Sequence, residues 1–157
     1  MSKSLRRVRA ALEASGVAFA VQEMQAETRT APQAALAVGC ALDQIVKSLL
    51  FCGQNSGRLA LFLVAGGNQL SEAKAALALQ EPLSRADAPM VRAITGFAIG
   101  GVAPIGHLTE LPVFMDPALM AFDTVWAAAG TPNHVFSIAP PALLQISKAR
   151  LTEFIDY

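Results

Sequence analysis

The chain has 157 residues, 54% hydrophobic and 15% charged, with twelve basic and twelve acidic side chains and a formal net charge of zero. Such a composition excludes a disordered chain, and the length suits one domain with a sizeable core, taken here as residues 1–157. The balanced charge argues against a protein that grips DNA or RNA through many phosphates, while leaving room for contact with one nucleic-acid end.

Leu5, Val8 and Leu12 recur at helical spacing among arginines, and Gly16 is placed to end that first helix. Val17, Phe19 and Val21 alternate as a half-buried strand does. Thr30, Pro32 and Gln33 form a helix start, with Thr30 as the cap and Gly39 as the stop, which predicts a helix over 31–38. Val46–Phe51 and Leu59–Val64 are apolar runs of strand length across a Gly/Asn/Ser turn and read as a hairpin in the sheet core. Ser71 caps a helix over 72–79, and Asp87 or Ser84 caps one over 88–95 that Gly96 ends. Val113–Met115, Thr124–Trp126 and Val135–Ile138 are short strands, and Pro140-Pro141 opens a last helix. With no regular alternation of strand and helix, the order predicts an α/β chain of the α+β kind: a mixed, mostly antiparallel sheet with flanking helices.

The mean hydropathy of +0.44 reflects alanine rather than a membrane span. Lys47, Arg58, Lys74 and Arg92 interrupt every apolar region before the roughly 18 residues a crossing helix needs. The basic stretch Lys3–Arg9 runs into Glu13 and Gly16 without the apolar segment of a signal peptide, so a cytoplasmic protein is expected. Cys40 and Cys52 lack the number and spacing for a disulfide framework or a zinc site.

Two features ask for chemistry. Phe97–His107 holds Gly100, Gly101, Pro104 and Gly106 among apolar residues, a tight loop able to present bare N–H groups to an anion or a carbonyl oxygen. Lys47 stands in a strongly apolar strand, where it must snorkel to solvent, lie at an edge, or face a functional cavity. His107 and His134 are open as bases or as ordinary hydrogen-bonded residues. No nucleophile elbow, metalloprotease, P-loop or dinucleotide pattern occurs.

Taken in order, Thr30–Ala35 with Val38-Gly39, Ile45–Phe51, Thr95–Phe97 running into Gly100–Gly106, Gly130–Phe136 and Pro140–Leu144 resemble the YbaK/prolyl-tRNA-synthetase-associated editing domain family over nearly the whole chain. The resemblance implies a β-barrel-like sheet with flanking helices and hydrolysis of mischarged aminoacyl-tRNA. Lys47 matches the family's functional lysine, and Gly100–Pro104 its GxxxP loop. On that reading Lys47, Gly100 and Gly101 are catalytic, and Thr30, Ser48, Val102, Ala103, Pro104 and His134 bind substrate. Ser48 occupies a position where family members differ, which bears on amino-acid specificity. The Gly101 amide and its neighbours would hold the oxyanion, and Lys47 a phosphate or ribose of the tRNA 3′ end, with no cofactor or metal. The expected partners are the acceptor end of a mischarged tRNA and an aminoacyl-tRNA synthetase, with neither membrane nor DNA. Two rivals are a catalytically silent tRNA- or synthetase-binding module and a thiol-dependent hydrolase using Cys40 or Cys52.

Overall fold

The computed structural model describes residues 2–25, 28 and 30–157. Helix α1 (Lys3–Ser15) is capped by Ser2 and buries Leu5, Val8 and Leu12. Strand β1 (Ala20–Glu23) leads to helix α2 (Ala31–Val38), whose first turn Thr30 caps. A 3-10 turn (Leu42–Gln44) enters β2 (Val46–Gly53), which folds back through β3 (Leu59–Ala65). Next come β4 (Gln69–Leu70), α3 (Glu72–Leu79), β5 (Leu83–Arg85) and α4 (Ala88–Thr95). After the long loop, β6 (Val113–Met115), a 3-10 turn (Pro117–Ala121), β7 (Val125–Thr131) and β8 (His134–Ile138) follow, then α5 (Pro140–Ser147), β9 (Arg150–Leu151) and β10 (Ile155–Asp156).

The strands form a five-stranded sheet in the order β5-β2-β3-β6-β9, a three-stranded sheet β1-β8-β7, and the pair β10-β4. Pairing is mostly antiparallel, with β6 parallel to both β3 and β9, so the mixed sheet and flanking helices are as predicted. The described strands do not close into a barrel. The larger sheets meet at one parallel bridge, Ile45 with Trp126. The first predicted strand starts late, at Ala20, which pairs with Ser137 one residue before the end of β8. Val17 and Phe19 therefore pack on the core without a ladder.

β3 is buried on both faces and divides the interior. Leu61, Leu63 and Ala65 join the main core under α1, with Phe97, Val102 and Ala103 of the glycine loop. Ala60, Phe62 and Val64 face the other way, where Phe62 stacks on Phe114 at 5.0 Å and meets Phe154 edge-on at 5.2 Å. Cross-strand partners share a face. Lys47, opposite Val64, thus emerges on the phenylalanine side, and Ser48, opposite Leu63, on the main-core side.

Candidate active site

The site is a gap in the sheet. β2 pairs with β3 along its length, but β5 covers only Phe51–Gly53, leaving residues 46–50 without a strand on the other side. β7 touches that open edge at the Ile45–Trp126 bridge and then diverges. Between them lies a cavity of about 450 Å³, walled by Ile45, Leu49, Trp126, Ala127, Ala128 and Val135, with Thr28 and the start of α2 at its side. The cavity brings together Lys47, Ser48, Gly100, Val102, Thr30 and His134 from the predicted set.

Lys47 is held rather than adrift. Its ammonium donates to the Asn68 carbonyl in the Gly66–Asn68 turn. Two carboxylates fix that turn: Asp43 Oδ1 accepts the Gly67 N–H at 2.7 Å, and Asp116 Oδ2 accepts Asn68 Nδ2 at 2.9 Å. Asp116 is 1% exposed and also accepts the N–H groups of Ala65 (3.1 Å) and Ala118 (2.9 Å), so its charge is well met. Desolvation lowers the Lys47 pKa, while Asp116 and then Asp43 oppose the shift. Asp116 escaped the sequence reading. Its visible signal, Asp-Pro after an apolar strand, announces only the following turn.

Ser48 Oγ is buried and has no hydrogen-bond partner in the structure, an unmet polar group in the cavity wall. Thr30 lies at the rim, exposed, and its hydroxyl accepts the Gln33 N–H at 3.3 Å as the helix cap. Of the thiols, Cys52 is buried and Cys40 half-buried, with burial raising the Cys40 pKa. Neither lines the cavity.

The glycine loop divides between two faces. Gly100 and Val102 line the cavity, whereas Gly101, Ala103 and Pro104 do not; all three are buried, and Pro104 faces a second cavity on the other side of the loop. The Gly101 N–H donates to the Ala98 carbonyl at 3.0 Å, so it is engaged in a turn. The amides of Gly100 and Val102 meet no acceptor among the described residues. The loop is clamped from behind: Arg7 Nε donates to the Gly106 carbonyl at 2.7 Å, its guanidinium lies 4.6 Å from the Phe97 ring centre, and His107 Nε2 bonds the Ala103 carbonyl at 2.7 Å. Facing a carbonyl, Nε2 carries the proton.

Burial holds His107 below the usual histidine range, with the Arg7 guanidinium adding to the effect and the Ala103 bond opposing it. A depressed folded pKa means the unfolded chain binds more protons, so stability is full above the unfolded value of about 6.5 and falls as pH drops through the interval down to the folded value. Melting curves from pH 7.5 to 5 are expected to show this loss, and His107→Gln, which has no imidazole to protonate, is expected to flatten it.

Residues 25–146 match the aminoacyl-tRNA editing domain family, and the chain belongs to it. It is 30% identical over 131 residues to YwhH of Bacillus subtilis (strain 168), covering 83% of each chain. It is 23% identical over 125 residues to EbsC of Enterococcus faecalis (strain ATCC 700802 / V583), named "Putative Cys-tRNA(Pro)/Cys-tRNA(Cys) deacylase", covering 79% of this chain and 76% of that one. A solved structure described as "a putative trans-editing enzyme for prolyl tRNA synthetase" superposes with a TM-score of 0.92 at 46% identity, covering 100% of this chain and 99% of the other.

Proposed function

We propose that this chain, as one editing domain, hydrolyses the ester of tRNA mischarged with a small amino acid, alanine or cysteine on proline tRNA first and serine or threonine esters next. The observation that carries the reading is the junction of a fixed lysine and a loop with two uncommitted amides on one small, mostly apolar cavity. An aminoacyl ester is already activated, so its hydrolysis needs a placed water and donors for the developing oxyanion. The Gly100 and Val102 amides serve as those donors. Lys47 takes a phosphate or ribose oxygen of the 3′ end and holds the ester against the loop. The walls Leu49, Trp126 and Val135 suit a short aliphatic side chain, and the unpartnered Ser48 hydroxyl offers a bond to a small polar one.

The need for such an enzyme is energetic. A synthetase pocket separates amino acids differing by one methylene by only about 1–3 kcal/mol, so a second sieve is required. The partners on this reading are the tRNA acceptor end and a synthetase that supplies the mischarged product, in the cytoplasm. No described helix is long and apolar enough to cross a membrane.

The test is single-turnover deacylation of alanyl-, cysteinyl-, seryl- and threonyl-tRNA, each on proline tRNA and on a second acceptor. Release of alanine or cysteine from proline tRNA well above the enzyme-free rate is the expected result. Binding of the same tRNAs with no release would establish the silent module instead. Iodoacetamide treatment is expected to leave the rate unchanged.

A further inference from the structure

Resting on that reading, we infer that Lys3, Arg6 and Arg9, on the outer side of α1, hold phosphates of the acceptor stem whose 3′ end enters the cavity. Net neutrality hides an uneven layout of charge. Four of the twelve basic residues, Lys3, Arg6, Arg7 and Arg9, precede the first acidic one, Glu13, which leaves the rest of the chain net acidic. Such asymmetry is the electrostatic footprint of a partner rich in negative charge.

The helix sorts these cations by face. Leu5, Val8 and Leu12 join the main core, and Arg7 serves the fold, donating to the Gly106 and Thr95 carbonyls at 2.7 and 3.3 Å. Lys3, Arg6 and Arg9 recur at every third residue, so at a rise of about 1.5 Å per residue they make one row about 9 Å long. Lys3 and Arg6 are exposed and Arg9 is half-buried, and none of the three meets a carboxylate among the described residues. The lysines elsewhere are engaged within the fold: Lys47 donates to the Asn68 carbonyl, Lys74 to the Ile155 carbonyl at 2.8 Å, and Lys148 pairs with Glu110 at 3.3 Å.

The row starts beside the cavity. A Cβ on Gly130 would lie 2.9 Å from the Ser4 carbonyl oxygen, so the first turn of α1 packs on the end of β7, and the next residue of that strand, Thr131, lines the cavity. Phosphates follow one another at about 3.4 Å along the axis of a duplex strand, and the row therefore suits two or three of them. A lipid surface fits less well. A helix lying on a membrane needs a free apolar face, and the apolar face of α1 is buried in the core.

The test measures binding of uncharged proline tRNA, and of a microhelix holding only its acceptor stem and 3′ end, between about 50 and 200 mM salt. The whole chain is compared with a row variant combining Lys3→Gln, Arg6→Gln and Arg9→Gln, and with a charge-matched control combining Arg58→Gln, Arg85→Gln and Arg150→Gln at exposed positions. With about 0.7–0.9 counterions released per phosphate contact, the row variant is expected to bind both RNAs at least about tenfold more weakly at low salt. Its log K should depend on log salt less steeply by about 2–3, and the control should stay within about twofold of the parent. In single-turnover deacylation of alanyl-tRNA-Pro the loss should lie in the enzyme concentration giving half-maximal rate, and melting curves should stay near the parent's. Equal losses in both triple variants, an unchanged affinity in the row variant, or a loss on whole tRNA but not on the microhelix each overturns the inference while leaving the active-site reading intact. So does a row variant that loses only binding to phosphatidylserine vesicles. A parent that releases no amino acid from any substrate of the screen overturns the reading on which the inference rests.

Discussion

Replacing Lys47 by alanine is expected to slow deacylation by well over tenfold while leaving the melting temperature near that of the parent. A hydrogen bond to a charged group contributes about 1.5–3 kcal/mol, and about 1.4 kcal/mol is a factor of ten in rate, so one lost contact with a tRNA oxygen suffices. The fold should tolerate the change. Lys47 lies outside the main core, its ammonium meets a turn carbonyl, and Asp116 keeps three N–H donors without it. Equal single-turnover rates for variant and parent would end the role assigned to the lysine. The same residue sets a pH signature. Desolvation lowers its pKa, so the cation is lost, and activity with it, as pH rises through a value below the ordinary lysine range. Asp43→Asn keeps an oxygen for the Gly67 N–H but removes a supporting charge, and should move that alkaline limb lower still. The profile is read after subtracting enzyme-free ester hydrolysis.

Local chemistry was legible wherever it is enforced within a few residues. Thr30, Ser71 and Asp87 cap the helices assigned to them, and the Val46–Val64 hairpin forms because both strands are apolar across a polar turn. Of the five two- or three-residue strands, only β6 was legible as an apolar run; β4, β5, β9 and β10 leave no periodic trace and exist only through their partners. The site divides the same way. Lys47 stood out because a charge in an apolar strand needs a reason. Asp116 lies 69 positions away from Lys47, Asn68 belongs to no motif, and the carboxylate that steadies the lysine's turn is brought in by parallel pairing of β6 with β3. Parallel partners carry no hairpin signal. Thr131 meets His134 at 2.6 Å as its direct partner where the β7–β8 hairpin closes, a contact set by strand register rather than by a motif. The loop motif was visible, yet the division of its residues between front and back required the structure, because Gly101 and Val102 are adjacent in sequence and only one lines the cavity.

That division reverses one expectation and supplies the sharpest separation of stability from chemistry. Had the loop been exposed throughout, Gly101→Val would have slowed the reaction at an unchanged melting temperature. Gly101 is instead buried, and an ideal Cβ there meets the N, Cα and C atoms of Thr131 at 3.1–3.2 Å, which is main chain rather than the yielding tip of a side chain. Overpacking of this kind costs about 1–3 kcal/mol, and the branched valine belongs at the upper end. At about 2–4 °C per kcal/mol for a domain of this size, Gly101→Val is expected to melt roughly 6–12 °C lower, with activity falling as the contact with Thr131 is pushed apart. Gly100 should behave in the opposite way. Its Cβ would enter open space, but its φ of +92° is one that side chains rarely adopt. Gly100→Ala therefore shifts the backbone of a residue that lines the cavity at a cost of about 1–2 kcal/mol, and with the Gly100 amide as the proposed donor its rate is expected to drop far more than its stability. Melting curves and single-turnover rates on the two variants separate the roles, and a Gly101→Val protein that melts with the parent would refute the close approach of loop and strand.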